Sequence, residues 1–171
     1  MQTLIEEIYT VKDYENWEGD WELIEGRPYA MAPAPFNKHQ WIATKIGYIL
    51  NTKLKKCKEC FALMEAEYRV NQKTILRPDV SLICDKLGKY ITKPPLIIFE
   101  VISESTRLRD EILKKEIYKK QKVPFYVLVY PDGEIKIFDL KNEKEINSFK
   151  LNTPCGEIEI SKNEILEEIT L

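Results

Sequence analysis

The sequence has no long hydrophobic run, few glycines and a single histidine. No stretch of about 18 apolar residues occurs, so no membrane-spanning helix is predicted. The six glycines form no G-x-G-x-x-G arrangement, and no serine or cysteine elbow is visible, which argues against a small-molecule enzyme. The acidic N-terminal residues lack the basic-then-apolar order of a signal peptide, and a cytoplasmic location is therefore expected.

Neither sign of charge is in clear excess. The chain has 26 Lys and Arg against 28 Asp and Glu, a formal net charge of −2. Proteins that bind DNA mainly by neutralising phosphates are usually basic, so binding here would depend on a local patch or on metal ions. Lysines concentrate in residues 53–58 and 114–122, which are either solvated helix faces or parts of such a patch.

The four cysteines are Cys57, Cys60, Cys84 and Cys155. The first two form C-K-E-C, which has the spacing of half a zinc site. The single histidine, His39, lies far upstream, and the other two cysteines stand alone. The sequence therefore favours reduced thiols, buried or incidental, over a structural zinc.

Length and pattern predict one domain over residues 1–171, with an α/β (α+β-like) fold. The chain of 171 residues is 44% hydrophobic and 32% charged, which is typical of one globular domain. Alternating apolar residues predict an N-terminal β-hairpin over residues 21–32, before a break at A-P-A-P, residues 32–35. Asn37 is predicted to cap a helix over residues 38–56. Later strands are predicted over residues 61–70, 75–84, 96–102 and 125–130, and helices over residues 109–121 and after the capping box S-K-N-E at residues 161–164. Together these predict a central β-sheet flanked by helices.

Two of these apolar strands contain a carboxylate, Asp79 and Glu100. A buried charge is costly unless it is paired or binds a metal, and an ion pair with Arg77 or Arg107 would explain either residue alone. Two such acids on consecutive strands favour a shared site. Together with a backbone carbonyl, that of Val101, they would supply about half of the octahedron that Mg²⁺ requires, leaving positions for water and a phosphate oxygen. Such a metal lowers the pKa of water and offsets charge on the phosphate.

The motifs R-P-D-V around Asp79 and F-E-V around Glu100 resemble the PD-(D/E)XK phosphodiesterase superfamily. The succession of W-E-L-I-E-G, a histidine, R-P-D-V, E-V-I-S-E-S-T and D-E-I-L-K-K-E-I-Y is similar to its Uma-type family, over about residues 9–140. The resemblance implies a restriction-endonuclease-like core, with a mixed central β-sheet flanked by helices. It also implies hydrolysis of phosphodiester bonds in DNA, with Mg²⁺ or Mn²⁺ as the cofactor.

The chain departs from the superfamily pattern at Ile102. The pattern has a lysine two residues after the glutamate, on the same strand face because side chains alternate with period two. Ile102 can neither polarise a water nor stabilise charge. In the Uma-type family a lysine on the following helix takes this role, and Lys114 within D-E-I-L-K matches it.

The spacing around Lys114 is consistent with that role. Asp110 lies four residues before it and Tyr118 four residues after it, so the three share one helix face. Lys114 would then approach the site from the helix. The alternative is a surface lysine paired with Asp110. Lys115, on a different face, is the weaker candidate for the same role.

The resemblance also assigns Glu22 and His39 to the site. Glu22 either completes the acidic cluster, through a water or a second metal, or is a strand-edge acid of the hairpin. His39 either positions a phosphate or transfers a proton, or it bonds backbone at the helix start. The hydroxyls of residues 103–106 either contact phosphate or cap the next helix.

Two hypotheses follow from the sequence. In the first, the chain is a metal-dependent DNA endonuclease in which Asp79 and Glu100 hold the metal, Lys114 orients the attacking water, and Glu22 and His39 assist. A homodimer would let such an enzyme cut two strands. In the second, the chain is a nuclease-fold domain that binds nucleic acid or a protein partner without cutting, which Ile102 and the acidic net charge favour.

Overall fold

A computed structural model of the chain describes residues 6–31 and 36–170. The break predicted at residues 32–35 lies outside these residues. The strands, in chain order, are β1 (Trp21–Ile24), β2 (Arg27–Ala30), β3 (Phe61–Met64), β4 (Tyr68–Asn71), β5 (Thr74–Leu76), β6 (Val80–Ile83), β7 (Ile97–Val101), β8 (Phe125–Val129), β9 (Ile135–Asp139), β10 (Lys144–Ile146), β11 (Ser148–Thr153) and β12 (Gly156–Ser161). The helices are α1 (Val11–Tyr14), α2 (Asn37–Lys53), α3 (Lys115–Lys120) and α4 (Lys162–Ile169), and a π-helical segment (Arg109–Lys114) runs directly into α3.

The strands form a large mixed sheet and two smaller sheets. The large sheet has the order β10-β9-β8-β7-β6-β3, in which β7 and β8 are parallel and the other pairs antiparallel. The second sheet, β2-β1-β5-β4, contains the N-terminal hairpin, and β11 and β12 form the third. The predicted α/β architecture, a mixed central sheet flanked by helices with an N-terminal hairpin, is confirmed.

Strand β7 runs through the interior of the large sheet, and its two faces pack against different cores. Phe99 and Val101 belong to the cluster that includes residues of α2 and α4. Ile98 and Ile102 belong to the cluster that includes residues of α3 and of the four-stranded sheet. Because side chains alternate along a strand, Glu100 points to the side of Ile98 and Ile102. The glutamate therefore faces α3 and the smaller sheet.

The chain crosses between the two larger sheets at two neighbouring points, and the sequence did not reveal these crossings. The strand predicted over residues 61–70 is divided into β3 and β4, with Glu65 at φ 49° in the left-handed region. The strand predicted over residues 75–84 is divided into β5 and β6 by Arg77, Pro78 and Asp79. The Glu65 amide donates to the carbonyl of Asp79 at 3.2 Å, which joins the two crossings. Continuous apolar patterns do not record a change of sheet, so both strands were predicted too long.

The helices follow the predicted periodicity, with two differences. Helix α2 begins at Asn37 with Phe36 in the cap position, so Asn37 is not the cap. The helix predicted over residues 109–121 starts with a π-helical segment, a geometry that is frequent at functional sites. Ser161 caps α4, because its hydroxyl accepts a hydrogen bond from the Glu164 amide at 3.2 Å; this is one of the two bonds of the predicted capping box. Among the helices of the described residues, none has the length and apolar character to cross a bilayer.

The prediction of reduced cysteines was wrong. Cys57 is bonded to Cys155 in the turn between β11 and β12, and Cys60 is bonded to Cys84. The second pair continues the antiparallel register of β3 and β6, which places Phe61 opposite Ile83 and hence Cys60 opposite Cys84. The partners come from elements distant in sequence, so the C-K-E-C spacing did not predict them.

Candidate active site

Asp79 and Glu100 occupy opposite positions where β6 and β7 meet. The register pairs Val80 with Phe99, so one residue further Asp79 lies opposite Glu100, and opposite residues of an antiparallel pair face the same side. The Asp79 amide donates to Glu100 Oε2 at 3.2 Å. The Val101 amide donates to Asp79 Oδ2 at 2.6 Å. The two carboxylates predicted from sequence are therefore neighbours.

His39, in the first turn of α2, contacts this pair from the helix side. Its Nε2 lies 3.2 Å from Asp79 Oδ2. Burial opposes the charged imidazolium, but the hydrogen bond and the charge of Asp79 outweigh it, and together they raise the pKa of His39. The buried Nδ1 has no hydrogen-bond partner among the described residues. His39 thus contacts Asp79 with one ring nitrogen and retains a second for another group.

Glu100 is the buried member of the carboxylate pair, with 2% of its surface exposed. Its Oε1 lies 2.6 Å from the Lys114 ammonium and accepts a hydrogen bond from the Tyr118 hydroxyl at 3.2 Å. Both partners come from the helix that covers this face of β7. The helical spacing of four residues, which predicts a shared helix face, brings Lys114 and Tyr118 to one carboxylate.

Lys114 is enclosed by three carboxylates. Its ammonium lies 2.6 Å from Glu100, 3.1 Å from Glu22 and 3.2 Å from Asp110, and the residue is 3% exposed. It is therefore more than the surface partner of Asp110 that the sequence left open. Glu100, Glu22 and Asp110 therefore share one buried ammonium.

Glu22 links the cluster to the four-stranded sheet. It lies on β1, is 2% exposed, and its Oε1 accepts a hydrogen bond from the Arg77 amide at 2.8 Å. Its Oε2 lies 3.8 Å from Nε of Arg109, a buried nitrogen without a hydrogen-bond partner among the described residues. Glu22 is thus buried within the cluster, and the Lys114 ammonium bridges it to Glu100 on the large sheet.

Burial determines the proton affinities in this cluster. It raises the pKa of Glu100 well above its usual range and raises that of Asp110, because a low-dielectric site disfavours the charged form; Lys114 opposes both shifts. Burial alone would lower the pKa of Lys114. The charges of Glu100, Glu22 and Asp110 reverse this effect and raise it well above its usual range. The ammonium is therefore held in its charged form.

Two residues that the sequence offered as alternatives, Lys115 and Arg107, make contacts outside the buried cluster. Lys115, the weaker candidate, points away from the cluster, with its ammonium 3.5 Å from the centre of the Phe138 ring. Arg107, considered as a partner for the acids, pairs with Glu111 instead. Asp110 was predicted only as a neighbour of Lys114, yet it is 3% exposed and belongs to the cluster. Its spacing from Lys114 was the available signal, but the same spacing is common on exposed helices.

The loop of residues 103–106 bonds mainly to itself. The Thr106 hydroxyl lies 3.0 Å from the Ser103 hydroxyl and accepts a hydrogen bond from the Ser103 amide at 3.4 Å. The Asp110 amide donates to the Thr106 carbonyl at 2.9 Å. The hydroxyl contacts thus stay within the loop, and the choice between a phosphate contact and a helix cap stays open.

The donor chemistry of the carboxylate pair fits a hard divalent cation. Within the described part of the chain, no group of three or more His, Cys, Asp or Glu side chains is already arranged to hold a metal ion. Asp79 and Glu100 nevertheless offer oxygen ligands, which Mg²⁺ and Mn²⁺ prefer. The described contacts of the Asp79 carboxylate all use Oδ2. Two carboxylates and water would meet the needs of Mg²⁺, which keeps several waters when bound to protein.

The fold and the comparisons agree on the class of protein. A mixed sheet with Asp79 directly before β6 and Glu100 on β7, covered by a helix that contributes a lysine, is the arrangement of a restriction-endonuclease-like domain. The sequence model of the Uma2 family, described as "Putative restriction endonuclease", matches residues 6–158. The chain belongs to this family.

A solved structure has the same fold. It is described as a "putative nuclease belonging to DUF820" from Anabaena variabilis, and it is 16% identical to this chain with a TM-score of 0.71. The match covers 94% of this chain and 99% of the other. No curated protein matches the sequence.

Proposed function

We propose that the chain is a metal-dependent endonuclease that hydrolyses phosphodiester bonds of DNA, with Mg²⁺ or Mn²⁺ held by Asp79, Glu100 and the carbonyl of Val101. The observation that carries the proposal is the contact between the two acids. The Asp79 amide bonds the Glu100 carboxylate at 3.2 Å, and the Val101 amide bonds the Asp79 carboxylate at 2.6 Å. Each carboxylate bonds a backbone amide at or beside the other acid, which puts both next to one possible cation site. Membership of the Uma2 family supports the same assignment.

The bound metal would supply Lewis-acid chemistry, since it acidifies a water and stabilises charge on the phosphate. Lys114 replaces the lysine that is absent at Ile102, and its charged ammonium orients the attacking water beside Glu100. Glu22 and Asp110 fix the ammonium in place through contacts of 3.1 and 3.2 Å. His39 holds Asp79 through Nε2, and its role in positioning a phosphate or transferring a proton stays a prediction.

A second candidate function is binding without cleavage, to nucleic acid or to a protein partner. The enclosure of Lys114 by three carboxylates favours it, because an ammonium that is 3% exposed has little freedom to contact a substrate. The formal charge of −2 favours it as well. The two candidates differ in one measurable respect, which is strand cleavage in the presence of a divalent metal.

Nicking of supercoiled plasmid in Mg²⁺ and in Mn²⁺ tests the proposal. The wild-type chain should nick the plasmid, and Asp79→Ala and Lys114→Ala should reduce the rate by at least about a hundredfold, as expected for removal of groups that stabilise transition-state charge. Lys115→Ala is the matched control, because this lysine lies on the neighbouring position outside the cluster. Absence of nicking by the wild type in either metal would favour binding without cleavage.

The homodimer stays a prediction. Two copies of the site would be needed to cut both strands of a duplex in one encounter. Sedimentation equilibrium of the wild-type chain, with and without a DNA duplex, measures the oligomeric state directly. A monomer under both conditions would restrict the proposed activity to one strand at a time.

A further inference from the structure

A cavity of about 690 Å³ lies beside the candidate active site. Its volume falls within the range of about 300–1,000 Å³ that is typical of ligand pockets. The walls are formed by the end of α1 with the residues leading into β1, by the two crossings between the sheets, and by the loop before Ile91. Nothing in the proposed hydrolysis uses this cavity. It therefore requires an explanation of its own.

The cavity and the candidate active site share backbone. Trp21, which lines the cavity, directly precedes Glu22 of the buried cluster. Arg77 lines the cavity with its side chain, while its amide donates to Glu22 Oε1 at 2.8 Å. Glu65 also lines the cavity, and its amide donates to the Asp79 carbonyl at 3.2 Å. Side chains alternate along β1, so Trp21 and Glu22 face opposite sides, and a ligand in the cavity would border the crossing at Asp79 rather than the buried cluster.

Four aromatic residues line the cavity together with its charged side chains: Tyr14, Trp17, Trp21 and Tyr90. The ring of Trp17 packs against Trp21 at 5.7 Å and against Tyr14 at 5.6 Å between centroids. Nearby, the Arg69 guanidinium stacks on Tyr90, with 3.4 Å from its central carbon to the ring centroid. Aromatic rings and guanidinium planes are the surfaces on which proteins stack unpaired bases. The wall thus suits a flat ligand.

The charges of the lining select against a phosphate as the group bound. Four carboxylates and three cations line the cavity: Glu15, Asp20, Glu65, Glu67, Arg69, Arg77 and Lys89. Both guanidiniums are already engaged, since Arg69 pairs with Glu15 at 2.7 Å and Arg77 with Asp20 at 2.6 Å. A slight excess of negative charge does not attract an anion. It is compatible with a neutral ring that has hydrogen-bonding edges, which describes a nucleobase.

We propose that this cavity binds one unstacked nucleobase of a nucleic acid whose backbone passes Asp79 and Glu100. A base within a duplex is covered on both faces by its neighbours, so a base must leave the stack, or belong to a single strand, before it can enter. The substrate would then carry an unpaired nucleotide beside the bond that is cut. The position of the strand rests on the proposed nuclease function, whereas binding of the base requires neither metal nor cleavage.

The test measures binding in EDTA, so that failure of cleavage leaves the result unaffected. Fluorescence anisotropy of a labelled short oligothymidylate is compared with that of an abasic strand of equal length, which keeps the phosphates and lacks the bases. Removal of the bases should weaken binding by about 5- to 100-fold, the loss expected for one stacked base. The corresponding duplex should also bind more weakly than the single strand. Equal affinity for the abasic strand, or for the duplex, overturns the proposal.

Substitutions locate the bound base. Trp17→Leu and Tyr90→Leu should each weaken binding of the oligothymidylate about fivefold or more and leave binding of the abasic strand unchanged. Trp41→Leu is the matched control, because Trp41 is 39% exposed on α2 and lies outside the cavity. Tyr90 stands in a loop, so its variant remains informative if Trp17→Leu fails to fold. Unchanged discrimination between the two strands in Tyr90→Leu would overturn the assignment of the cavity.

Discussion

The Lys114 ammonium lies 2.6 Å from Glu100 Oε1 and is at the same time 3.1 Å from Glu22 Oε1. Glu100 belongs to the large mixed sheet, and Glu22 belongs to the four-stranded sheet. One cation therefore joins the carboxylates of two sheets. The arrangement makes Lys114 a structural residue as well as the proposed orienting group, and the two roles can be measured separately.

Lys114→Met should destabilise the fold by about 3–5 kcal/mol, because it leaves buried carboxylates without their cation. Urea denaturation of the variant and the wild type measures the difference. Lys115→Met is the control, and its loss should not exceed about 1 kcal/mol, the contribution of a cation–π contact with Phe138. A stability of Lys114→Met equal to that of the wild type would show that the three acids are neutral in the folded protein.

Metal binding can be followed at His39 without reference to activity. His39 is the single histidine of the chain, so its imidazole resonances are assigned without ambiguity. Because its Nε2 lies 3.2 Å from Asp79, Mn²⁺ held by Asp79 and Glu100 should broaden these resonances at low occupancy. The expected broadening should be absent in Asp79→Ala. Broadening that persists in this variant would place the metal elsewhere.

Removing the imidazole should also weaken the proposed metal site. Side chains that orient a metal ligand typically contribute 10- to 100-fold to affinity or activity. His39→Ala should therefore raise the Mn²⁺ concentration needed for half-maximal thermal stabilisation by about that factor. Lys38→Ala, one residue earlier on α2, serves as the control. A similar shift in both variants would attribute the effect to the start of the helix.

The two disulfides make a prediction about thiol content. Protein purified without reductant and then denatured should show no reaction with a thiol reagent, since all four cysteines form disulfides. Reduction should lower the free energy of unfolding. The bond between Cys57 and Cys155, which spans a sequence separation of 98, should account for about 4–5 kcal/mol by loop closure. Four reactive thiols in the untreated protein would restore the original prediction of reduced cysteines.

Glu65 should tolerate glycine better than a branched residue. Its φ of 49° lies in the left-handed region, which costs L-residues roughly 1–2 kcal/mol and glycine almost nothing. Glu65→Gly should be neutral or up to about 1 kcal/mol more stable in urea, and Glu65→Val less stable by about 1–2 kcal/mol. The reverse order would mean that the Glu65 side chain, rather than its backbone, stabilises the crossing.

Much of the fold could be predicted from the sequence because its signals are local. The alternation along β1 and β2, the apolar run of β7 and the capping box at Ser161 each act within a few residues. The acids Asp79 and Glu100 were recognisable because a charge within an apolar strand is unusual. These signals were sufficient to predict the strands, the hairpin and a site shared by the two carboxylates, while the resemblance supplied the mixed order of the sheet.

The remaining features depend on contacts between distant segments. The crossings at Glu65 and Asp79 interrupt patterns that look continuous, because both sheets bury apolar residues on either side of them. Asp110 was underestimated, since an acid four residues before a lysine looks the same on a buried helix face as on an exposed one. The pairing of Cys57 with Cys155 required the position of a hairpin that lies almost a hundred residues later in the chain.

Because Lys114 bridges Glu100 to Glu22, the candidate active site is complete only while the large mixed sheet and the four-stranded sheet pack together. Opening of the four-stranded sheet would withdraw Glu22, free the lysine from one of its partners and dismantle the cavity wall that begins at Trp21. Any ligand that favours the closed arrangement would then strengthen the proposed metal site, although it touches neither acid. Ligand binding in the cavity and metal binding by Asp79 and Glu100 would then be thermodynamically linked.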